Sequence, residues 1–248
     1  MPNYVTSRCA VHGPHWEIER FKRIMIRPAP AGHSDEGALL FDFNAIIPMP
    51  ACVAATESGT TADEGVALIR ARGEKFPPDP EKLGLHAAQW TRIVRAAGLP
   101  ADSNVRQVAA EYLRKRPDVE AAGRAQLTCL LETGFTDWYG WCNANWGTKW
   151  SSFRYEEIEG ESTFTFRYET AWSFPFPIFE KLSEEFPLLS FECATYDEGD
   201  NFAGAGWFNP PPGQPQFEVG YKFVGPDLYQ LVYGRPQPVY DEEGNEVD

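Results

Sequence analysis

The sequence lacks the features that mark several common classes of protein. No apolar stretch is long enough to span a bilayer, and the first residues lack the basic and apolar segments of a signal peptide. The five cysteines are scattered, odd in number and contain no CxxC pair, so they predict neither a zinc knuckle nor a redox motif. We therefore expect a cytoplasmic protein with reduced thiols and no membrane association.

Basic residues are scarce. The chain has 22 Lys and Arg against 36 Asp and Glu, a formal net charge of −14, which argues against direct binding to a nucleic-acid backbone. Excess acid ordinarily keeps a protein soluble, although an acidic face that mimics DNA is a further hypothesis. Hydrophobic residues make up 43% of the 248 positions and aromatic residues 14%, enough for a sizeable core.

Motifs for catalysis and cofactor binding are also missing. No serine stands in a G-x-S-x-G context, and the glycine-rich stretch 199–206 is interpreted as a turn between strands because no helix can follow it. Cys9, His12 and His15 are spaced by three, but no fourth ligand is suggested. We therefore predict no metal site and no cofactor.

What the sequence does contain is a pattern of strands and helices at its two ends. Residues 4–11, 163–168 and 189–195 alternate apolar and polar side chains, as strands do, and 153–158 is a further strand. Apolar residues at helical spacing follow the first and the third of these strands in chain order. The order βαββαβ predicts an α+β fold with a ferredoxin-like antiparallel sheet.

The remaining residues predict how the chain is organised. Residues 1–30 and 151–224 would form a discontinuous ferredoxin-like core, with 217–224 as an added strand. The large insertion 31–150 after the first helix would be mostly helical, and 225–248 an extended segment with an acidic tail.

Start and stop signals divide the insertion into helices. Thr61 and Glu64 have the spacing of a capping box, and Gly73 would end that helix. Gly98 would end the next helix, and Ser103 would cap the one that follows.

The most unusual segment is 137–150, which contains four of the eight tryptophans. It predicts a helix that ends at a left-handed Gly147. Its polar residues could line a ligand pocket with aromatic walls, or its indole rings could fill a packing junction between insertion and sheet, and both interpretations remain open. The candidate residues are Asp137, Trp138, Trp141, Asn145, Trp146, Lys149, Trp150 and Trp172.

Several segments together resemble a known family. They are similar to segments of the YubB-like family. The segments are 1–6, 41–44, 46–50, the Asn-Trp-Gly-Thr-Lys-Trp motif at 145–150 and Thr-Ala-Trp-Ser at 170–173. The members are uncharacterised proteins with a ferredoxin-like domain, encoded largely by bacteriophages, prophages and plasmids. The resemblance implies a fold and a genetic setting but no activity and no catalytic residues.

Three functions follow as hypotheses. The first is a non-catalytic accessory or regulatory module of a bacteriophage, prophage or plasmid that binds a host or phage protein. The second is a small-molecule-binding protein or enzyme that uses the Trp-rich segment 137–150. The third is an acidic anti-defence protein that mimics DNA, motivated by the charge of −14.

Overall fold

Contacts within the chain divide it into two units. The first contains residues 1–48 and 142–248, and the second contains residues 49–141. The computed structural model describes residues 3–74, 79–240 and 246–247. The domain limits predicted at residues 30 and 151 stay a prediction, since a division by contacts does not define which segments fold together.

The first unit is built on a six-stranded antiparallel sheet. Its strands are β4 (Phe153–Glu157), β5 (Phe164–Ala171), β1 (Tyr4–His12), β6 (Ser190–Asp197), β7 (Ala203–Phe208) and β8 (Glu218–Gly220), in this spatial order. Helix α1 (His15–Met25) follows β1, and helix α8 (Phe176–Glu185) follows β5. The order β1-α1-β4-β5-α8-β6 with β1 between β5 and β6 confirms the predicted ferredoxin-like fold.

Pairing across the long insertion places β1 at the centre of the sheet. Cys9 lies opposite Phe166 of β5 on one side and opposite Cys193 of β6 on the other. Every neighbouring pair in the sheet is antiparallel. The side chains of β1 are mostly buried on both faces of the sheet, because other elements of the first unit pack on each face.

Aromatic side chains fill the space beneath α1 and α8. Phe21 of α1 lies 5.7 Å from the ring of Phe191 in β6 and 6.2 Å from that of Phe166 in β5. Phe179 of α8 lies 5.9 Å from Phe191, edge to face. Burying such rings is the main apolar contribution to the stability of this unit.

The opposite face of the sheet is covered in part by α9 (Pro226–Tyr233). Tyr229 of this helix stands edge-on to Tyr196 of β6 at 5.2 Å. Arg167 of β5 donates from Nε to the carbonyl of Val232 at 2.7 Å, which satisfies an acceptor at the helix end.

Two short hairpins complete the first unit. β2 (Ile26–Pro28) pairs with β3 (Leu39–Phe41), and β9 (Val239–Tyr240) pairs with β10 (Glu246–Val247). The apolar run 38–47 changes from strand to turn, since only β3 is a strand and Phe43–Ala45 forms a 3-10 turn. Asp42 causes this change of structure, since its carboxylate accepts the backbone N–H of Asn44 at 3.0 Å.

The second unit is helical. Its helices are α2 (Ala51–Ala54), α3 (Thr60–Gly73), α4 (Ala87–Ala97), α5 (Val105–Lys115) and α6 (Pro117–Thr133), and α7 (Trp138–Asn145) runs across the division. Helices α3 and α6 cross in near contact at Gly65 and Gly123. A Cβ built on Gly65 would lie 2.3 Å from the carbonyl oxygen of Val119, so only glycine fits this crossing.

A buried carboxylate anchors three helices of this unit. Glu64 is 4% exposed, accepts a hydrogen bond from the hydroxyl of Tyr112 at 2.7 Å and pairs with Arg92. The predicted capping box of Thr61 and Glu64 was therefore wrong, because Glu64 points into the core instead of back to the helix end.

The other helix signals had mixed outcomes. Gly98 has a φ of 74° and ends α4, as predicted. The cap of α5 is Asn104, whose side chain accepts the N–H of Arg106 at 2.9 Å, so the prediction of Ser103 was wrong by one residue.

The chain beyond β6 departs most from the predictions. The interpretation of 199–206 as a turn was wrong for Gly204 and Gly206, which lie inside β7 where a Cβ would collide with the neighbouring backbone at 216–218. Within 217–224 only β8 is a strand. Residues 226–233 form α9 in place of an extended segment. Most of the predicted acidic tail, 241–245 and 248, lies outside the described residues.

Candidate functional site

The first part of the Trp-rich segment lies in the helical unit. Asp137 accepts the backbone N–H of Gly140 at 2.9 Å through its carboxylate, and so holds the first turn of α7. The backbone N–H of Trp138 donates to the hydroxyl of Thr56 at 2.9 Å, and Trp141 is 5% exposed. These contacts belong to the local structure of α7, and the role of the three side chains in a site stays a prediction.

The end of α7 carries two further candidates. Asn145 is its last residue, and Trp146 follows with 4% of its surface exposed. The indole N–H of Trp146 donates to the carbonyl of Ile47 at 2.9 Å, and its ring lies edge-on to Phe43 at 6.0 Å. Gly147 has a φ of 76°, which confirms the predicted left-handed end of the helix.

The last candidates come together as a stack on the first unit. The ammonium group of Lys149 lies 4.6 Å from the ring centre of Trp150 and 4.8 Å from that of Trp172, within the range of cation–π attraction. We call these three side chains the Trp-Lys-Trp stack. The motifs at 145–150 and 170–173 both contribute to the stack. The hydroxyl of Ser173 in the second motif donates to the carbonyl of Gly147 in the first.

Trp172 has an unusual backbone for a large residue. Its φ is 75°, a left-handed conformation that L residues rarely adopt, and its side chain is 40% exposed. The backbone N–H of Trp172 donates to the carbonyl of Asn3 at 3.0 Å, which helps to hold this conformation. Strain of this kind combined with exposure is typical of residues that bind a partner.

Trp150 also lines an open cleft of about 490 Å³ in the first unit, a volume typical of ligand sites. We call it the aromatic cleft. Its walls are Tyr4, Gly32, His33, Ser34, Asp35, Trp150, Ser151, Phe153 and Arg154. The elements that bring them together are the start of β1, the loop between β2 and β3, and the entry to β4.

Arg154 is the central polar residue of the aromatic cleft. Its backbone is left-handed, with a φ of 50°, at a bulge in the pairing of β4 with β5. The guanidinium group lies 5.5 Å from the ring centre of Tyr4 and 5.7 Å from that of Phe153, and Nη1 pairs with Glu169 at 2.9 Å. The bulge thus turns Arg154 toward the aromatic wall.

Asp35 and His33, which also line the cleft, are held by the chain's own hydrogen bonds. The carboxylate of Asp35 accepts the backbone N–H of Arg154, and the backbone N–H of Asp35 donates to Nδ1 of His33 at 3.1 Å. Because Nδ1 accepts this bond, the proton of a neutral His33 sits on Nε2, which is a donor. Ser151 lines the cleft as well and has a buried hydroxyl.

Negative charge exceeds positive charge beside Arg154. Burial raises the pKa of Glu169, although the attraction of Arg154 opposes the shift, and the nearby carboxylates of Glu198 and Asp35 add to it. Glu198 is held close because it accepts the backbone N–H of Tyr4 at 2.8 Å. Two further carboxylates therefore lie near the ion pair of Arg154 with Glu169.

The predicted site residues thus fall into separate groups. Lys149, Trp150 and Trp172 are brought together, while Asp137, Trp138 and Trp141 belong to residues 49–141. The use of the whole segment as one site stays a prediction. No periodicity or motif in the sequence indicates that Asp35 and Arg154 line this cleft.

Two features are absent from the part of the chain that the structure describes. No group of three or more His, Cys, Asp or Glu residues there is arranged to hold a metal ion. Among those same residues, no helix combines the length and apolar character needed to cross a membrane.

Residues 145–209 match the model of a family described as the ferredoxin-like domain in Api92-like protein. The matched stretch contains the Trp-Lys-Trp stack and the strands β4, β5 and β6. The match agrees with the ferredoxin-like fold of the chain. A YubB-like assignment and a phage or plasmid origin stay predictions.

A similar solved structure is the crystal structure of a protein api92 from Yersinia pseudotuberculosis. It has 11% sequence identity and a TM-score of 0.37, and the match covers 89% of this chain and 99% of that one. At this identity and score, the likeness carries no argument about function. No curated protein matches the chain.

Proposed function

We propose that the protein is a non-catalytic binding module, a cytoplasmic accessory or regulatory protein of a bacteriophage, prophage or plasmid that binds a host or phage protein. The binding surface would be the aromatic cleft together with the Trp-Lys-Trp stack, which share Trp150. The genetic setting rests on the resemblance of the motifs at 145–150 and 170–173.

The observation that carries the proposal is the way the polar groups of the aromatic cleft are held. Arg154 pairs with Glu169, Asp35 accepts the backbone N–H of Arg154, and His33 accepts that of Asp35. These bonds fix the shape of a concave surface with aromatic walls. Because such a surface is preformed, less conformational entropy is lost when a partner binds, which favours association.

The alternative of a small-molecule binder or enzyme would depend on Lys149 as a working polar group. Its ammonium group is engaged by two indole rings, an arrangement that restricts its movement. This contact favours a structural or partner-binding role for Lys149 over proton transfer.

The alternative of a DNA mimic would need a stripe of carboxylates on one face. Several carboxylates of the helical unit are instead paired with bases, for example Glu111 with Arg114 at 2.7 Å and Asp118 with Arg116 at 2.6 Å. Such mixed charge weakens the mimic hypothesis, because it reduces the negative field that would imitate phosphates.

The proposal is tested by affinity capture from bacterial and phage-infected lysates with the tagged full chain. We expect one stoichiometric partner with the wild type and at least a severalfold loss of capture with Trp172→Ala. Trp16→Ala is the matched control, because Trp16 is an exposed tryptophan of α1 and is absent from the proposed surface. Failure to capture any partner, or equal loss with both variants, would overturn the proposal.

A further inference from the structure

The aromatic cleft already accommodates one guanidinium group, that of Arg154. This group lies over the rings of Tyr4 and Phe153 and pairs with Glu169 at 2.9 Å. Aromatic faces and a carboxylate are the two features that proteins use to bind organic cations. The arrangement shows what kind of charge this wall stabilises.

Trp150 and Asp35, which also line the cleft, offer the same two features, an aromatic ring and a carboxylate. A carboxylate has about four lone-pair positions, and the backbone N–H of Arg154 uses one of those on Asp35. Acceptors therefore remain for the paired N–H groups of an incoming guanidinium group.

Charge around the cleft selects the sign of a ligand. Asp35, Glu169 and Glu198 outnumber the two nearby cations, Arg154 and Lys149, whose ammonium group lies 4.6 Å from the ring centre of Trp150. Burial together with the other two carboxylates raises the pKa of Glu169. An anionic ligand would be repelled by this excess, whereas a cation would relieve it. The net charge of −14 would also steer a basic segment toward the protein.

We propose that the aromatic cleft binds an arginine side chain from a basic segment of the partner protein, with the guanidinium group stacked on Trp150 and paired with Asp35. This inference rests on the proposed function and names the chemistry of the partner. The cleft volume of about 490 Å³ leaves room for the side chain and its flanking backbone.

The test is isothermal titration of the full chain with three blocked peptides of equal length. The first is basic with a central arginine, the second has citrulline at that position, and the third is acidic. We expect the citrulline peptide, which keeps the shape but not the charge, to bind about tenfold more weakly, as the loss of a charged hydrogen-bond pair predicts. The acidic peptide should show no heat of binding.

Variants locate the site. Asp35→Asn keeps the shape and an acceptor for the N–H of Arg154, and we expect it to weaken binding of the arginine peptide about tenfold. Glu184→Gln is the matched control, since Glu184 is an exposed carboxylate of α8 paired with Lys181. If Asp35→Asn lowers the melting temperature, Glu169→Gln takes its place, with an expected severalfold loss.

The outcomes separate this inference from the proposed function. Equal binding of the arginine and citrulline peptides, no binding of either, or equal effects of Asp35→Asn and Glu184→Gln would overturn the arginine assignment. If capture of a partner still depends on Trp172 in that case, the binding module stands and only the ligand chemistry is wrong. If the chain shows neither a preference for the arginine peptide nor a capture that depends on Trp172, both proposals are wrong.

Discussion

The crossing of α3 and α6 makes the substitution Gly65→Ala a sharp test of the packing in the helical unit. A Cβ on Gly65 would lie 2.3 Å from the carbonyl oxygen of Val119 and 2.8 Å from the Cα of Gly123. These are backbone atoms, which cannot move aside as a flexible side chain can. The two helices must therefore separate, and the contacts around the crossing are lost.

The magnitude follows from two opposing effects. Alanine favours a helix over glycine by about 1 kcal/mol, while overpacking of a rigid contact costs about 1–3 kcal/mol, occasionally more. Because the collision is with backbone, we expect a net loss of about 2 kcal/mol in the free energy of unfolding. With ordinary urea dependence, the denaturation midpoint should fall by about 1 M.

The measurement is urea denaturation followed by far-ultraviolet circular dichroism. The matched control is Gly73→Ala in the same helix, where an added Cβ meets no atom within 4 Å, and we expect an unchanged or slightly raised midpoint. The double variant with Gly123→Ala should lose less than the sum of the single losses, since the first substitution already separates the helices. A Gly65→Ala variant as stable as the wild type would refute the close crossing.

Three further predictions concern single side chains. Lys149→Met keeps the aliphatic chain but loses the charge held by two indole rings, and we expect a loss of about 1 kcal/mol in thermal unfolding, with Lys149→Arg near wild type. A thiol reagent should modify only Cys52 in the native protein, because the other four cysteines are buried. Desolvation and Glu132 raise the pKa of the Cys52 thiol, so the reaction should become faster as the pH rises. Modification of two thiols before unfolding would contradict this prediction. Hydrogen bonds from Arg72 and Arg124 lower the pKa of Glu120 to about 2. The wild type should therefore be more stable than Glu120→Gln above pH 4.5, and this difference should disappear as the pH falls toward 2. If the urea midpoints of wild type and variant differ by the same amount at every pH, the ion pairs do not stabilise the fold.

The ferredoxin-like core could be predicted because its elements carry complete local patterns. Phe164, Phe166 and Tyr168 alternate with polar residues in one strand, and all three are found in β5. The order of strands and helices then limits the topology to few choices. The matched family domain at 145–209 agrees with that part of the prediction.

The added strands could not be predicted, because their signal depends on tertiary contacts. Gly204 and Gly206 look like turn residues in the sequence, yet they lie in β7 because the backbone at 216–218 approaches too closely for a side chain. Helix α9 is eight residues long and gains its stability from packing against Tyr196 of β6, which no local pattern reveals.

The candidate site could be predicted only in part, because some of its residues meet only through tertiary contacts. The tryptophan-rich composition drew attention to Lys149 and Trp150, and Trp172 came from a resemblance. Asp35 and Arg154 are 119 positions apart in the chain and meet only through the sheet and a bulge in β4. A contact of that range leaves no trace in spacing or periodicity.

The central place of β1 has a consequence for synthesis on the ribosome. The strand is made before both of its neighbours, which end only at residues 171 and 197. At common rates of translation, roughly 10 to 40 s pass between the synthesis of β1 and that of the end of β6. Until β5 is made, both hydrogen-bonding edges of the nascent strand are without their native partners, so chaperone occupancy at residues 4–12 should be highest on nascent chains that end before about residue 170.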